Sequence, residues 1–204
     1  MITIVDYGLG NVQAIANIYE RLRIPVRLAR TAEELTGSER LILPGVGAFD
    51  WAMTRLEQSG MRPTIEDLVT RQGRPVLGIC VGMQMLSDRS DEGTLRGLGW
   101  IPGEVRRFDE SRIKDPTHLP HMGWNDVMPR STGCLFRGLE TDARFYFLHS
   151  YYYAPIHVSD VLAETDYNGK YASSVRRGNV LGVQFHPEKS HQWGIRLLQN
   201  FAEV

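Results

Sequence analysis

The chain has 204 residues, 23 of them Lys or Arg and 24 Asp or Glu, for a formal charge of −1. That length can fill one well-packed core and predicts a single domain over residues 1–204, while the near balance of charge gives no bulk attraction to nucleic acid or an anionic membrane. Apolar runs too short for a bilayer and an amino terminus without a basic, apolar leader predict a cytoplasmic protein; two cysteines, Cys80 and Cys134, fit neither a zinc site nor a secreted disulfide scaffold.

Taken in chain order, residues 2–5 predict a short apolar strand, and Asn11 is placed to cap a helix in which Val12, Ile15, Tyr19 and Leu22 recur at helical spacing. Between them, Asp6-Tyr7-Gly8-Leu9-Gly10-Asn11 resembles a dinucleotide loop but has Gln13 at the third glycine position, which leaves a tight turn or an interface loop. Strands at 25–28 and 41–43, helices at 51–58 and 63–71, and a strand at 76–79 complete a βαβ pattern with a parallel sheet. From residue 97 to 171, Gly, Pro and aromatic residues divide short extended runs such as 144–148 and 161–165, which predicts mixed or antiparallel sheet beside the parallel core. Residues 109–117 read as a charged, mobile loop and Cys134 as a packing residue. Ser190 is placed to cap a last amphipathic helix whose Trp193, Leu197, Leu198 and Phe201 face the core.

The chemistry centres on Gly78-Ile79-Cys80-Val81-Gly82-Met83-Gln84, which has the shape of a nucleophile elbow. Glycines two before and two after the cysteine permit a tight strand-to-helix turn, and the following helix aims N–H groups and the positive end of its dipole at the sulfur. Gln84, four residues on, falls on the face of the sulfur and suits a polar substrate. Far downstream, Val183-Gln184-Phe185-His186-Pro187-Glu188 predicts a strand ending at His186, with Glu188 two residues on and on the same side of extended backbone. A thiol needs an imidazole to take its proton, and the imidazole needs a carboxylate to orient it. Pro44-Gly45-Val46-Gly47 reads either as a plain turn or as a flexible peptide that turns its N–H toward substrate as a second oxyanion donor besides Val81. Singly, a cysteine in an apolar run is a core residue and His-Pro-Glu is a surface turn; together they point to nucleophilic catalysis. A cysteine peptidase shares this elbow logic.

These three motifs resemble those of the class I, triad-type glutamine amidotransferases. Four further segments narrow the resemblance to glutaminase subunits of histidine biosynthesis: the 6–11 loop, Pro120-His121-Met122-Gly123-Trp124-Asn125, Phe145-Tyr146-Phe147-Leu148-His149-Ser150-Tyr151-Tyr152, and Lys189-Ser190. The triad motifs alone would equally suit other glutaminases, such as that of anthranilate synthesis. The resemblance implies a flavodoxin-like, three-layer α/β fold and a reaction without metal or other cofactor, in which Cys80, His186 and Glu188 hydrolyse glutamine. It implies oxyanion donors at Val46 and Val81 and substrate contacts from Gly47, Gln84, His149, Ser150 and Tyr151. It also implies a 1:1 heterodimer with a (β/α)8 barrel cyclase that uses channelled ammonia to form imidazole glycerol phosphate and an aminoimidazole carboxamide ribotide. The interface would include Asn11, His121, Met122, Trp124 and Lys189, and a ligand in the cyclase would switch the glutaminase on.

Overall fold

The computed structural model describes residues 1–113, 118–131 and 133–204, without the side chains of residues 112 and 134. The reading of Cys134 as a packing residue and the 114–117 part of the expected loop therefore lie outside the described residues. The strands are β1 (Ile2–Val5), β2 (Val26–Ala29), β3 (Arg40–Gly45), β4 (Val76–Cys80), β5 (Arg89–Ser90), β6 (Gly103–Arg107) and β7 (His121–Asp126). They continue with β8 (Met128–Pro129), β9 (Arg144–His149), β10 (Tyr151–Pro155), β11 (Val161–Asp166), β12 (Lys170–Arg177) and β13 (Val180–Val183). The α-helices are α1 (Val12–Arg21), α2 (Phe49–Gln58), α3 (Arg62–Glu66), α4 (Val81–Gln84) and α5 (His191–Phe201).

Strands covered on both faces should be apolar throughout, and β1, β4 and β13 are buried at every position. They belong to a parallel array in the order β2-β1-β3-β4-β13, which continues antiparallel through β12, β10 and β6. This is the expected α/β architecture, a mostly parallel sheet with an antiparallel extension. A separate antiparallel ribbon, β7 with β9, sets His121 opposite His149. Helix α1 buries Ile15, Ala16 and Tyr19, and the Tyr19 hydroxyl donates to the Leu198 carbonyl at 3.0 Å, tying α1 to α5. Leu197, Leu198 and Phe201 of α5 are fully buried, as their spacing predicts.

Several local expectations change. Asn11 and Ser190 stand at the N-cap positions of α1 and α5, yet neither side chain caps its helix. The Ser190 hydroxyl instead donates to the His186 carbonyl at 2.5 Å and accepts from the Tyr146 N–H at 3.0 Å. The expected 63–71 helix closes as α at Glu66 and continues as a wide π turn over Asp67–Arg71. The segment expected as a loop begins with a short 3-10 turn, Glu110–Arg112, entered through Asp109, whose carboxylate accepts from the Ser111 N–H. Among the described residues no helix is long and apolar enough to cross a membrane.

Candidate active site

Ligand sites of open α/β sheets form beyond the carboxyl ends of the strands. Here β3, β4 and β13 end side by side, with Gly45 opposite Cys80 and Val183 opposite Ile79. Cys80 takes φ +56° and ψ −115°, a conformation that costs a residue with a Cβ, and α4 begins at the next residue. The elbow glycines serve close approach. A Cβ at Gly82 would stand 1.9 Å from the Leu43 carbonyl oxygen, and one at Gly78 would stand 2.6 Å from the Gly82 oxygen. Helix α4 is a single turn, so the expected help from a helix dipole reduces to that of individual N–H groups around the sulfur.

The same crowding changes the reading of Pro44-Gly45-Val46-Gly47. Gly45 is a strand residue against the elbow, where an added Cβ would lie 2.6 Å from the Gly82 nitrogen, so it supplies space and not mobility. Conformational freedom rests on Gly47, at φ +86°, next to the exposed Val46. The buried Tyr7 hydroxyl donates to the Pro44 carbonyl at 2.6 Å, and burial pushes this phenol well above its ordinary titration range. The glycine-rich loop after β1 is thus braced against the start of the 44–47 segment.

β13 ends at Val183, three residues before the strand end expected at His186. His186 instead forms an isolated bridge to Tyr146, and Pro187–Lys189 turns in 3-10 fashion. That turn, not extended alternation, brings Glu188 back: its Oε1 lies 3.0 Å from His186 Nδ1, with both side chains buried. Glu188 Oε2 is buried with no hydrogen-bond partner among the described residues, so its charge is directed chiefly at the imidazole. Because Nδ1 serves Glu188, Nε2 is left for the hydrogen bond to Cys80. Burial works against the charged ring, but hydrogen bonds and charge from Cys80 and Glu188 outweigh it and raise the His186 pKa to about 10.

Cys80, His186, Val46, Gly47, Val81, Gln84, His149, Ser150, Tyr151 and Lys189 border one cavity of about 300 Å³. This is at the small end of pockets for organic ligands, which run from about 300 to 1,000 Å³. Glu92 borders it as well, and its carboxylate accepts from the Phe49 N–H at the start of α2, 2.9 Å away. Glu92 was not legible in the sequence, because nothing about an acidic residue in a turn twelve positions after the cysteine marks it.

His121 departs from expectation. Residues 121–126 form a strand, and alternation turns the His121 ring inward, where it is 3% exposed. It is stacked against Phe147 and Tyr167 and lies 3.2 Å from His149 Nε2, so it cannot present a side chain to a partner. Asn11, Met122, Trp124 and Lys189 are exposed. Trp124 stacks on His191 with ring centres 5.2 Å apart, and Lys189 Nζ lies 5.7 Å from the Tyr146 ring centre.

An elbow cysteine and a buried histidine–glutamate pair beside a small pocket at the ends of a parallel sheet form an arrangement suited to thiol chemistry on a small substrate. The chain matches the class I glutamine amidotransferase model over residues 3–204 and belongs to that family. Among curated relatives, it is 58% identical to the imidazole glycerol phosphate synthase subunit HisH of Bdellovibrio bacteriovorus, with both chains wholly covered. It is 45% identical to the HisH subunit of Leptospira borgpetersenii, again over the full length of each. A crystal structure of a glutamine amidotransferase superposes with a TM-score of 0.76 at 20% identity, covering 100% of this chain and 99% of the other, which establishes a shared fold.

Proposed function

We propose that this chain is the glutaminase subunit of an imidazole glycerol phosphate synthase, acting as one domain in the cytoplasm. The observation that carries the reading is the Cys80–His186–Glu188 arrangement, with Cys80 and His186 bordering the cavity, in a chain so similar to HisH subunits over its whole length.

His186 Nε2 takes the Cys80 proton, and the thiolate attacks the side-chain carboxamide carbon of glutamine. The negative charge moves to the carbonyl oxygen, where the N–H groups of Val81 and Val46 receive it. The proton on His186 passes to the nitrogen, the C–N bond breaks, and ammonia leaves a thioester on Cys80. Water, deprotonated by His186, attacks the thioester; glutamate departs and the thiol is restored. Glu188 keeps the ring oriented and balances its charge throughout. Gly47, Gln84, His149, Ser150 and Tyr151 bind the substrate, and Glu92 supplies a countercharge for its α-ammonium group.

Ammonia in neutral water becomes ammonium and loses its nucleophilicity, so it must pass to the acceptor along a protected route. The acceptor is a (β/α)8 barrel cyclase in a 1:1 heterodimer, seated over the exposed face that carries Met122, Trp124 and Lys189 and reaching Asn11. The peptide between Val46 and Gly47 is the switch that cyclase ligand binding favours in its oxyanion-competent state.

The test is glutamate release from glutamine by the purified chain, alone and with the cyclase and its ribonucleotide ligand. Strong release only in the full mixture, lost in Cys80→Ala, is expected. Unchanged release on adding that partner would reassign the chain to another synthase. Reversing the Lys189 charge together with Trp124→Ala should weaken both assembly and stimulation.

A further inference from the structure

Gln184 is fully buried, two residues before His186, and is not among the residues that border the cavity. Its side chain ends a series of hydrogen bonds whose direction is forced. The Tyr151 carbonyl can only accept, and it faces His149 Nδ1 at 2.7 Å and Gln84 Nε2 at 3.2 Å. Gln84 must therefore present its nitrogen there, and the other hydrogen of that NH2 goes to Gln184 Oε1 at 3.1 Å. With its oxygen engaged, Gln184 turns its own NH2 toward Cys80 Sγ, 3.9 Å away. Rotating either amide by half a turn fails: a reversed Gln184 sets NH2 against NH2, and a reversed Gln84 sets oxygen against the Tyr151 oxygen.

We infer that Gln184 is a further catalytic residue, whose carboxamide N–H donates to the Cys80 sulfur and stabilises it as the thiolate. This deepens the proposed function and rests on Cys80 being the nucleophile. No bond changes at Gln184. The amide gives a fixed dipole to a negative charge in a water-excluded place, where such a donor acts most strongly. His186 receives the proton, and Gln184 favours the charge left behind. When the sulfur is acylated that charge is gone, and the contact regains its strength as the thioester collapses to thiolate. The Tyr151 carbonyl, held by His149, sets the polarity of the whole series, so a wall of the substrate pocket and the nucleophile share one hydrogen-bond network.

The experiment measures alkylation of Cys80 by iodoacetamide against pH in the full chain, with glutaminase kinetics in the complex with the cyclase. Gln184→Met keeps the length and apolar volume of the side chain and removes the donor. Its alkylation midpoint should move up by about one pH unit, and kcat should fall about tenfold, because a hydrogen bond to a charged group contributes on that scale. KM should stay within about twofold, since the residue is outside the cavity wall. A lowered melting midpoint with an unchanged alkylation midpoint would assign Gln184 to packing and overturn the inference. A measurement on the unsubstituted protein covers the case in which Gln184→Met fails to fold. The Gln184 side-chain amide NMR signals should titrate with the alkylation midpoint of Cys80, and signals that do not move with it would equally overturn the inference. Glutamate release retained in Cys80→Ala would instead remove the nucleophile assignment itself, a separate failure.

Discussion

Two histidine sites lie within one wall of this fold and titrate in opposite directions. Burial lowers the pKa of every ring involved, His186 on one side and His121 and His149 on the other. At His186 the neighbours are a carboxylate and a thiol, whose negative forms overcome burial and raise the pKa to about 10. At the second site the hydrogen-bond partners of the rings are neutral: the Asn125 amide, the Tyr171 hydroxyl and the Tyr151 carbonyl. Burial prevails, taking His121 down to about 4, and burial with repulsion from His121 takes His149 down to about 3. The Tyr171 hydroxyl, itself buried and held well above the ordinary phenol range, completes that cluster. Asn125 Nδ2 donates to His121 Nε2 at 3.2 Å, which leaves the His121 proton on Nδ1 for Tyr171; the Tyr171 hydroxyl then donates to His149 Nε2 at 3.1 Å. Every ring nitrogen is satisfied with both rings neutral. The lesson is that burial alone keeps a histidine neutral, and a formal anion within hydrogen-bond distance reverses it.

The strongest way to break this contrast is to remove the anion. Glu188→Gln keeps the shape beside His186 and deletes the charge. Glutamate release should fall by about 10² to 10⁴-fold, and the His186 ring signals in NMR should titrate several units lower. A ring that still titrates near its former midpoint would show that Glu188 is not what holds the charge.

Gly82→Ala tests whether the charged site depends on the backbone contact that seats Cys80. With its Cβ 1.9 Å from the Leu43 oxygen, the substitution should cost about 3 kcal/mol or more, read from denaturant unfolding. Stability within about 0.5 kcal/mol of the parent would rule out this close approach.

The two sites also predict opposite limbs in a plot of stability against pH. The folded chain holds a proton on His186 from the ordinary 6.5 up to about 10. Its contribution is complete below 6.5 and is lost as pH rises toward 10. His121 and His149 stay neutral when folded, so on acidification the unfolded chain takes their protons first. Their contribution is present above 6.5 and is lost as pH falls toward 4 and 3. Thermal midpoints from pH 3 to 10 should show both limbs, with His149→Gln flattening the acid one and Glu188→Gln the alkaline one.

The smallest effect is expected from Tyr171→Phe. His121 Nδ1 and His149 Nε2 are already 3.2 Å apart and can pair directly, so the loss should be about 1 kcal/mol with the acid limb retained. A loss several times larger would mean that the hydroxyl is indispensable to the neutral cluster.

Much of the fold was legible because its signals are local. The apolar runs at residues 2–5 and 76–79 mark strands buried on both faces, and the spacing of Val12, Ile15 and Tyr19 marks a helix side. Cys80 stood out for the same reason, since a cysteine between glycines at two-residue spacing carries its turn in its own neighbours. Less legible was whatever depends on a second segment. Gly45 looked like a hinge and proved to be a contact with Gly82; His121 looked like surface and is sealed by Phe147 and Tyr167. Gln184 sits in plain view before His186, yet its orientation toward the sulfur follows only from Gln84 and Tyr151, more than 30 positions away in the chain.

The sequence by itself thus determined the parallel core, the elbow, the residue types for acid–base work and the family to which they belong. Periodicity, glycine spacing and side-chain chemistry are properties of neighbours along the chain. Tertiary structure alone decided which histidine is charged, which glycines are spacers, that Glu92 reaches the cavity, and that Gln184 faces Cys80. Those outcomes depend on local field and on distances between segments that only the folded sheet brings together.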